Sequence, residues 1–95
     1  MIKKIAIIGS GVMGSGIAQS FAVSGYYVTI NDIKEELLNH AQNRISENLS
    51  LLMEEGALTG REKQGALANI TYSVDLEGAV RDADFIIEAI PEVIE

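Results

Sequence analysis

Residues 5–14 read IAIIGSGVMG, a mostly β-branched apolar run followed by three glycines at the spacing G-x-G-x-x-G. The apolar run is typical of a buried strand, and it stops at Gly9. A strand that feeds such a loop, with a helix after it, is typical of the βα turn that holds the pyrophosphate of a dinucleotide. An acidic residue at the end of the next strand would complete the pattern.

The three glycines have different predicted roles. Gly9 allows the tight turn out of the strand, Gly11 lets the backbone approach the pyrophosphate, and Gly14 lets the helix pack closely on the strand. The amides of residues 10–13 are expected to face the phosphates at the helix N-terminus. The alternative is a glycine-rich turn that binds no ligand.

Strands and helices alternate along the rest of the chain. Strands are predicted over residues 2–8, 27–30, 70–73 and 85–90, and helices over 12–24, 34–53, from 59 onward, and over 74–81. The alternation predicts an α/β fold of the Rossmann type, a doubly wound parallel sheet. This sheet is expected to be incomplete, with about four strands, and to carry a long helix and a short helical appendage between strands two and three.

Asp32 ends the second predicted strand, about 20 residues beyond the glycine loop. A carboxylate at this place accepts hydrogen bonds from the ribose hydroxyls of adenosine, and it repels a 2′-phosphate. The sequence therefore favours NAD over NADP. Asp32 is also a candidate N-cap of the long helix, and the two roles can coexist.

Length and composition restrict the classes of function. The chain has 95 residues, no cysteine and a net charge of −7, which argues against nucleic acid and membrane surfaces as partners. It shows neither a signal peptide nor a membrane span, so a cytoplasmic location is expected. A complete dinucleotide-binding domain is longer, so residues 1–95 are expected to form the N-terminal part of one, without a C-terminal substrate domain.

Two segments resemble the 3-hydroxyacyl-CoA dehydrogenases, including the bacterial 3-hydroxybutyryl-CoA dehydrogenases. They are KIAIIGSGVMGSGIAQ at residues 4–19 and DADFIIEAIPE at residues 82–92. The resemblance implies NAD-linked interconversion of an L-3-hydroxyacyl-CoA and a 3-ketoacyl-CoA, with an acyl-CoA as substrate and a homo-oligomeric assembly.

The resemblance also implies which residues bind the cofactor. They are Gly9, Gly11, Val12, Met13, Gly14, Asp32, Ile33, Ala89 and Glu92. Val12 and Met13 would supply backbone amides and Ile33 would lie beside the adenine. Ala89 and Glu92 would lie near the nicotinamide.

No catalytic residue is expected in this chain, because the family's His–Glu pair and its helper Ser and Asn come later in sequence. His40, the single histidine, is expected to be a solvated residue of the long helix. Glu88, inside the apolar fourth strand, either faces the site or points to solvent. Arg61 and Lys63 are weak candidates for contacts with the phosphates of CoA.

Two alternative functions stay open at this point. One is the NAD(P) domain of a β-hydroxyacid dehydrogenase, and the other is a nucleotide-binding module without chemistry. In the strand order 3-2-1-4-5-6 the fourth strand is internal, so a chain that stops after it leaves an unpaired edge. We therefore expect self-association or marginal stability.

Overall fold

The computed structural model describes residues 3–90, in which four parallel strands alternate with four helices. The elements are β1 (Lys4–Ile8), α1 (Val12–Val23), β2 (Tyr27–Asn31), α2 (Glu35–Glu54), α3 (Gly60–Ala68), β3 (Ile70–Ser73), α4 (Leu76–Arg81) and β4 (Phe85–Glu88). The predicted Rossmann-type fold is confirmed, including the long helix α2 and its appendage α3. Among the described residues, none of the helices combines the length and the hydropathy needed to cross a bilayer.

The strand order is β3-β2-β1-β4, and every pairing is parallel. β1 lies between β2 and β4, which is why its apolar run is almost continuous and is buried from Ile5 to Ile7. In a parallel sheet the carboxyl ends of all strands lie at one edge. The loops after β1, β2 and β4 therefore meet there, as ligand-binding loops do in open α/β sheets.

One face of the sheet forms the core with the helices. Side chains alternate between the two faces of a strand, and Ile5, Ile7, Val28 and Ile30 all belong to the core cluster. Helix α2 contributes a stripe at helical spacing, whose fully or almost fully buried members are Leu38, Ala41, Ile45 and Leu49. The spacing of apolar residues in the sequence predicts this stripe with Leu52 as a fifth member, and Leu52 is partly buried against the core.

Side chains fix the ends of two elements. The spacing Thr59-x-x-Glu62 in the sequence predicts a capping box at the start of α3. The structure confirms it: the Oγ1 atom of Thr59 accepts the amide of Glu62 at 3.1 Å, and the Glu62 carboxylate accepts the amide of Thr59 at 2.9 Å. Asp84 accepts the amides of Lys3 and Lys4, each at 2.9 Å, and these bonds lower the pKa of its carboxyl. Asp84 thereby joins the start of β4 to the start of β1.

β4 is shorter than the predicted strand 85–90. Its register with β1 pairs Ile8 with Glu88, and β1 itself ends at Ile8. One more bond follows, from the amide of Ala89 to the carbonyl of Ile8 at 2.7 Å. The ladder therefore stops where its partner strand turns away into the glycine loop.

Candidate cofactor site

The glycine loop leaves β1 through a conformation that only glycine adopts easily. Gly9 has φ +109°, and its amide donates to the carbonyl of Asn31 at 2.8 Å. A Cβ atom at Gly9 would lie 2.8 Å from the carbonyl oxygen of Ala89. The loop is thus enclosed between the ends of β2 and β4, as its predicted tight turn requires.

The start of α1 presents free backbone donors to the open side of the loop. Within the described part of the chain, the amides of Gly11, Val12 and Met13 have no hydrogen-bond acceptor. A Cβ atom at Gly11 would meet nothing within 4 Å, so an approaching ligand finds open space at this position. Free amides at a helix N-terminus favour an anion, in agreement with the predicted phosphate contacts.

Gly14 lies where α1 packs on the loop. A Cβ atom there would overlap the carbonyl oxygen of Gly9 and would lie 3.0 Å from its carbonyl carbon. The side chain of Ala89 is the next neighbour, at 3.5 Å. This close approach between helix and strand end is the role predicted for the third glycine.

Asp32 lies beside the loop at the end of β2. Its Oδ2 atom accepts the amide of Ser10 at 2.9 Å and the Ser10 hydroxyl at 2.6 Å, and its Oδ1 atom accepts the amide of Ile33 at 2.7 Å. Partial burial is the largest single influence on the carboxyl and raises its pKa, but the three hydrogen bonds together outweigh burial and leave the pKa below the usual value of 3.8. Asp32 is therefore a carboxylate at neutral pH, with the charge that its predicted role requires.

The alternative role of Asp32 as a helix cap is wrong. Helix α2 begins at Glu35 and its N-cap is Lys34, whose side chain makes no capping hydrogen bond. Asp32 lies two residues before that cap, and its carboxylate is directed to Ser10 and Ile33 instead. The hydrogen bonds of Asp32 therefore belong to the glycine loop and its flank.

A cleft of about 380 Å³ opens between the glycine loop and α2. It is lined by Gly9, Ser10, Gly11, Asp32, Ile33, Leu37, His40, Arg44 and Ile90. Ile33 and Ile90 are 82% and 61% exposed, so two apolar side chains stand uncovered at its walls. The cleft thus combines an anion-binding end, a carboxylate and apolar surface.

Sequence reasoning missed three of the lining residues on α2. Leu37, His40 and Arg44 lie three, four and seven residues apart and so share one face of the helix. That spacing could have identified them, but it is a weaker signal than the apolar stripe on the neighbouring face of the helix. His40 is exposed, as predicted, and it also lines the cleft.

The remaining predicted residues are placed as follows. Ala89 is 2% exposed and packs behind the glycine loop. Glu88 is exposed on β4 and is not among the residues that line the cleft. Glu92 lies outside the described residues. Lys63 donates to the hydroxyl of Ser50 at 2.7 Å and so joins α3 to α2.

Comparison with known proteins gives consistent matches. The family described as "3-hydroxyacyl-CoA dehydrogenase, NAD binding domain" matches residues 4–95. A 3-hydroxybutyryl-CoA dehydrogenase of Mycobacterium tuberculosis is 36% identical over 91 residues, which are 96% of this chain and 32% of that protein.

Solved structures give the same result. The (S)-3-hydroxybutyryl-CoA dehydrogenase of Ralstonia eutropha superposes with a TM-score of 0.94 at 33% identity, over 99% of this chain and 33% of the other. A diketoreductase, described with dicarbonyl substrates, superposes with a TM-score of 0.88 at 41% identity, over 97% of this chain and 33% of the other. The chain spans a third or less of the length of the curated relatives it matches.

Proposed function

We propose a function from the family of this chain, which belongs to the 3-hydroxyacyl-CoA dehydrogenases through their NAD-binding domain. The chain holds NAD for an oxidoreductase that interconverts L-3-hydroxyacyl-CoA and 3-ketoacyl-CoA. In this proposal residues 1–95 are the N-terminal part of the dinucleotide-binding domain. The acid–base groups and most of the acyl-CoA site lie in other parts of the enzyme. The family match favours this function over the two alternatives, a β-hydroxyacid dehydrogenase and a module without chemistry.

One observation carries the proposal: the Asp32 carboxylate and Gly11, whose amide is free, border the same cleft, and the free amides of Val12 and Met13 follow Gly11 at the start of α1. Asp32 would accept hydrogen bonds from the adenosine ribose, and the amides of Gly11, Val12 and Met13 would bind the pyrophosphate. The exposed side chain of Ile33 offers an apolar surface to the adenine. When bound, NAD would supply the hydride acceptor, while this chain fixes where the cofactor lies.

Ala89 and Glu92 are proposed to border the nicotinamide half of the cofactor. The support for Ala89 is its place directly behind Gly9, at the carboxyl end of β4. The support for Glu92 is the resemblance of residues 82–92 to the family. Ile90 lines the cleft one residue after Ala89, which places the end of β4 beside the proposed site.

A cofactor titration of the purified protein tests the proposed function. We expect NADH to bind at least about tenfold more tightly than NADPH, because a 2′-phosphate would meet the Asp32 carboxylate. We also expect no oxidation of NADH by acetoacetyl-CoA with this chain alone. Fluorescence titration measures the binding of each cofactor, and an absorbance assay measures the oxidation of NADH. Tighter binding of NADPH would contradict the cofactor site, and turnover would contradict the proposed location of the acid–base groups.

We propose further that the protein forms homo-oligomers, as the resemblance to the family implies, and that residues 1–95 by themselves associate through the edge of β4. Among residues 3–90, β4 is paired on one side only, and Phe85 and Ile86 are about half exposed there. The cytoplasmic location stays a prediction.

Light scattering across protein concentrations tests self-association. We expect the mean mass to rise with concentration and Ile86→Lys to shift it toward the monomer, because an edge lysine opposes strand pairing. Leu51→Lys adds the same charge at an exposed position of α2 and should leave the mass unchanged. A wild-type monomer at every concentration would refute association of residues 1–95 through the edge of β4.

A further inference from the structure

Ser10 forms hydrogen bonds through two sets of atoms, and the second set contacts Arg44, a residue outside the glycine motif. Its amide and hydroxyl donate to Asp32, as described above. Its carbonyl oxygen accepts the Ser15 hydroxyl at 3.0 Å and Nη1 of Arg44 at 3.3 Å. The same Nη1 atom donates to Oγ of Ser15 at 3.0 Å. Arg44, Ser15 and the Ser10 carbonyl therefore form a closed triangle of hydrogen bonds.

This triangle fixes the plane of one peptide bond. In a trans peptide the C=O and the following N–H point in opposite directions. The Ser10 carbonyl is directed toward Ser15, which is fully buried, and toward Arg44. The Gly11 amide must therefore point away from both, to the side where it has no acceptor within residues 3–90.

Because Gly11 follows the Ser10 carbonyl, the orientation of this peptide bond depends on the hydrogen bonds that the carbonyl accepts. Gly11 lacks a side chain that would restrict rotation, and a Cβ atom at this position would meet nothing within 4 Å. The hydrogen bonds to the Ser10 carbonyl supply the restriction that a side chain would otherwise give. Arg44 contributes from α2, and it is the one Lys or Arg among the described residues that line the cleft.

We propose that Arg44 is a positioning residue for the cofactor pyrophosphate: it holds the Ser10 carbonyl, and so aims the Gly11 amide at the phosphates. The inference rests on the proposed function and deepens it. Arg44 acts on the phosphate-bearing part of the cofactor, so ligands with and without phosphate distinguish its role from a general effect on the fold.

The test compares NADH, ADP and adenosine binding to the wild type and to Arg44→Met, by calorimetry or NMR titration. We expect Arg44→Met to raise the Kd of NADH and ADP about tenfold and to leave the Kd of adenosine within about twofold. Arg81→Met is the matched control, because it removes the same charge from an exposed position of α4. It should leave all three Kd values within about twofold.

Two further variants keep the test decisive if Arg44→Met does not fold. Arg44→Lys retains a donor and the charge, so the Kd of ADP should stay within about threefold of the wild type. Ser15→Ala removes the other donor to the same carbonyl, so it should weaken the binding of ADP but not the binding of adenosine. In ¹⁵N spectra, the large shift expected for the Gly11 amide on ADP binding should shrink in Ser15→Ala.

The outcomes separate this inference from the proposed function. If the wild type binds neither NADH nor ADP, the proposed function fails. A different outcome is that the wild type binds both ligands while Arg44→Met weakens the binding of adenosine as much as that of ADP, or leaves the binding of ADP unchanged. Either result refutes the positioning role of Arg44 and leaves the proposed function intact. An equal loss in Arg81→Met would show a general charge effect and would also overturn the role of Arg44.

Discussion

Replacing Gly14 with alanine is expected to abolish detectable NADH binding and to lower the free energy of unfolding by about 3 kcal/mol. The new Cβ atom would overlap the backbone carbonyl of Gly9, and backbone atoms cannot move aside as the end of a long side chain can. To relieve the overlap, α1 must move away from the strand end. That movement displaces the free amides of residues 11–13 from the cleft.

Gly16→Ala is the matched control for this prediction. Gly16 belongs to the same helix, and a Cβ atom there would meet nothing within 4 Å. Alanine should therefore stabilise the protein by about 1 kcal/mol, since glycine is the poorer helix former, and should leave the NADH Kd unchanged. Denaturant unfolding and NADH titration measure both variants. Wild-type affinity in Gly14→Ala would show that the close packing is not required for the site.

Asp32→Ala is expected to raise the Kd of NADH by about 10- to 100-fold and to remove most of the preference over NADPH. Two effects combine: the ribose loses a charged acceptor, and the amide and hydroxyl of Ser10 lose theirs. The repulsion of a 2′-phosphate disappears with the carboxylate. The NADPH Kd should therefore rise much less than the NADH Kd.

Asp82→Ala removes the same charge elsewhere and serves as the control. Asp82 is exposed at the end of α4, and its side chain makes no hydrogen bond among residues 3–90. Its NADH Kd should stay within about twofold of the wild type. Parallel titrations of NADH and NADPH decide the matter. An unchanged NADH Kd in Asp32→Ala would remove Asp32 from the site.

The fold followed from the sequence because its signals are local. The apolar run of β1, the glycine spacing and the Thr59–Glu62 capping box each depend on residues a few positions apart, and each was confirmed. The parallel strand order follows from the alternation of strands and helices with right-handed crossovers. The end of β4 was less predictable, because the length of the neighbouring β1 decides it.

The site was only partly predictable, since some of its contacts join distant residues. Asp32 could be placed at a strand end, but only the structure shows that Ser10, rather than the helix, receives its hydrogen bonds. Arg44 reaches Ser10 across 34 positions of the chain, through the packing of α2 on α1. No short motif encodes such a contact.

The double engagement of Ser10 has a consequence for attempts to change the cofactor preference. A designer who wants an NADPH-dependent variant would remove the Asp32 carboxylate, but that carboxylate also anchors the loop that we propose binds the phosphates. The two positions are therefore epistatic: a substitution at 32 needs a compensating acceptor for Ser10, or a residue at 10 that needs none. Libraries that vary both positions together should recover dual-cofactor variants that single-site libraries miss.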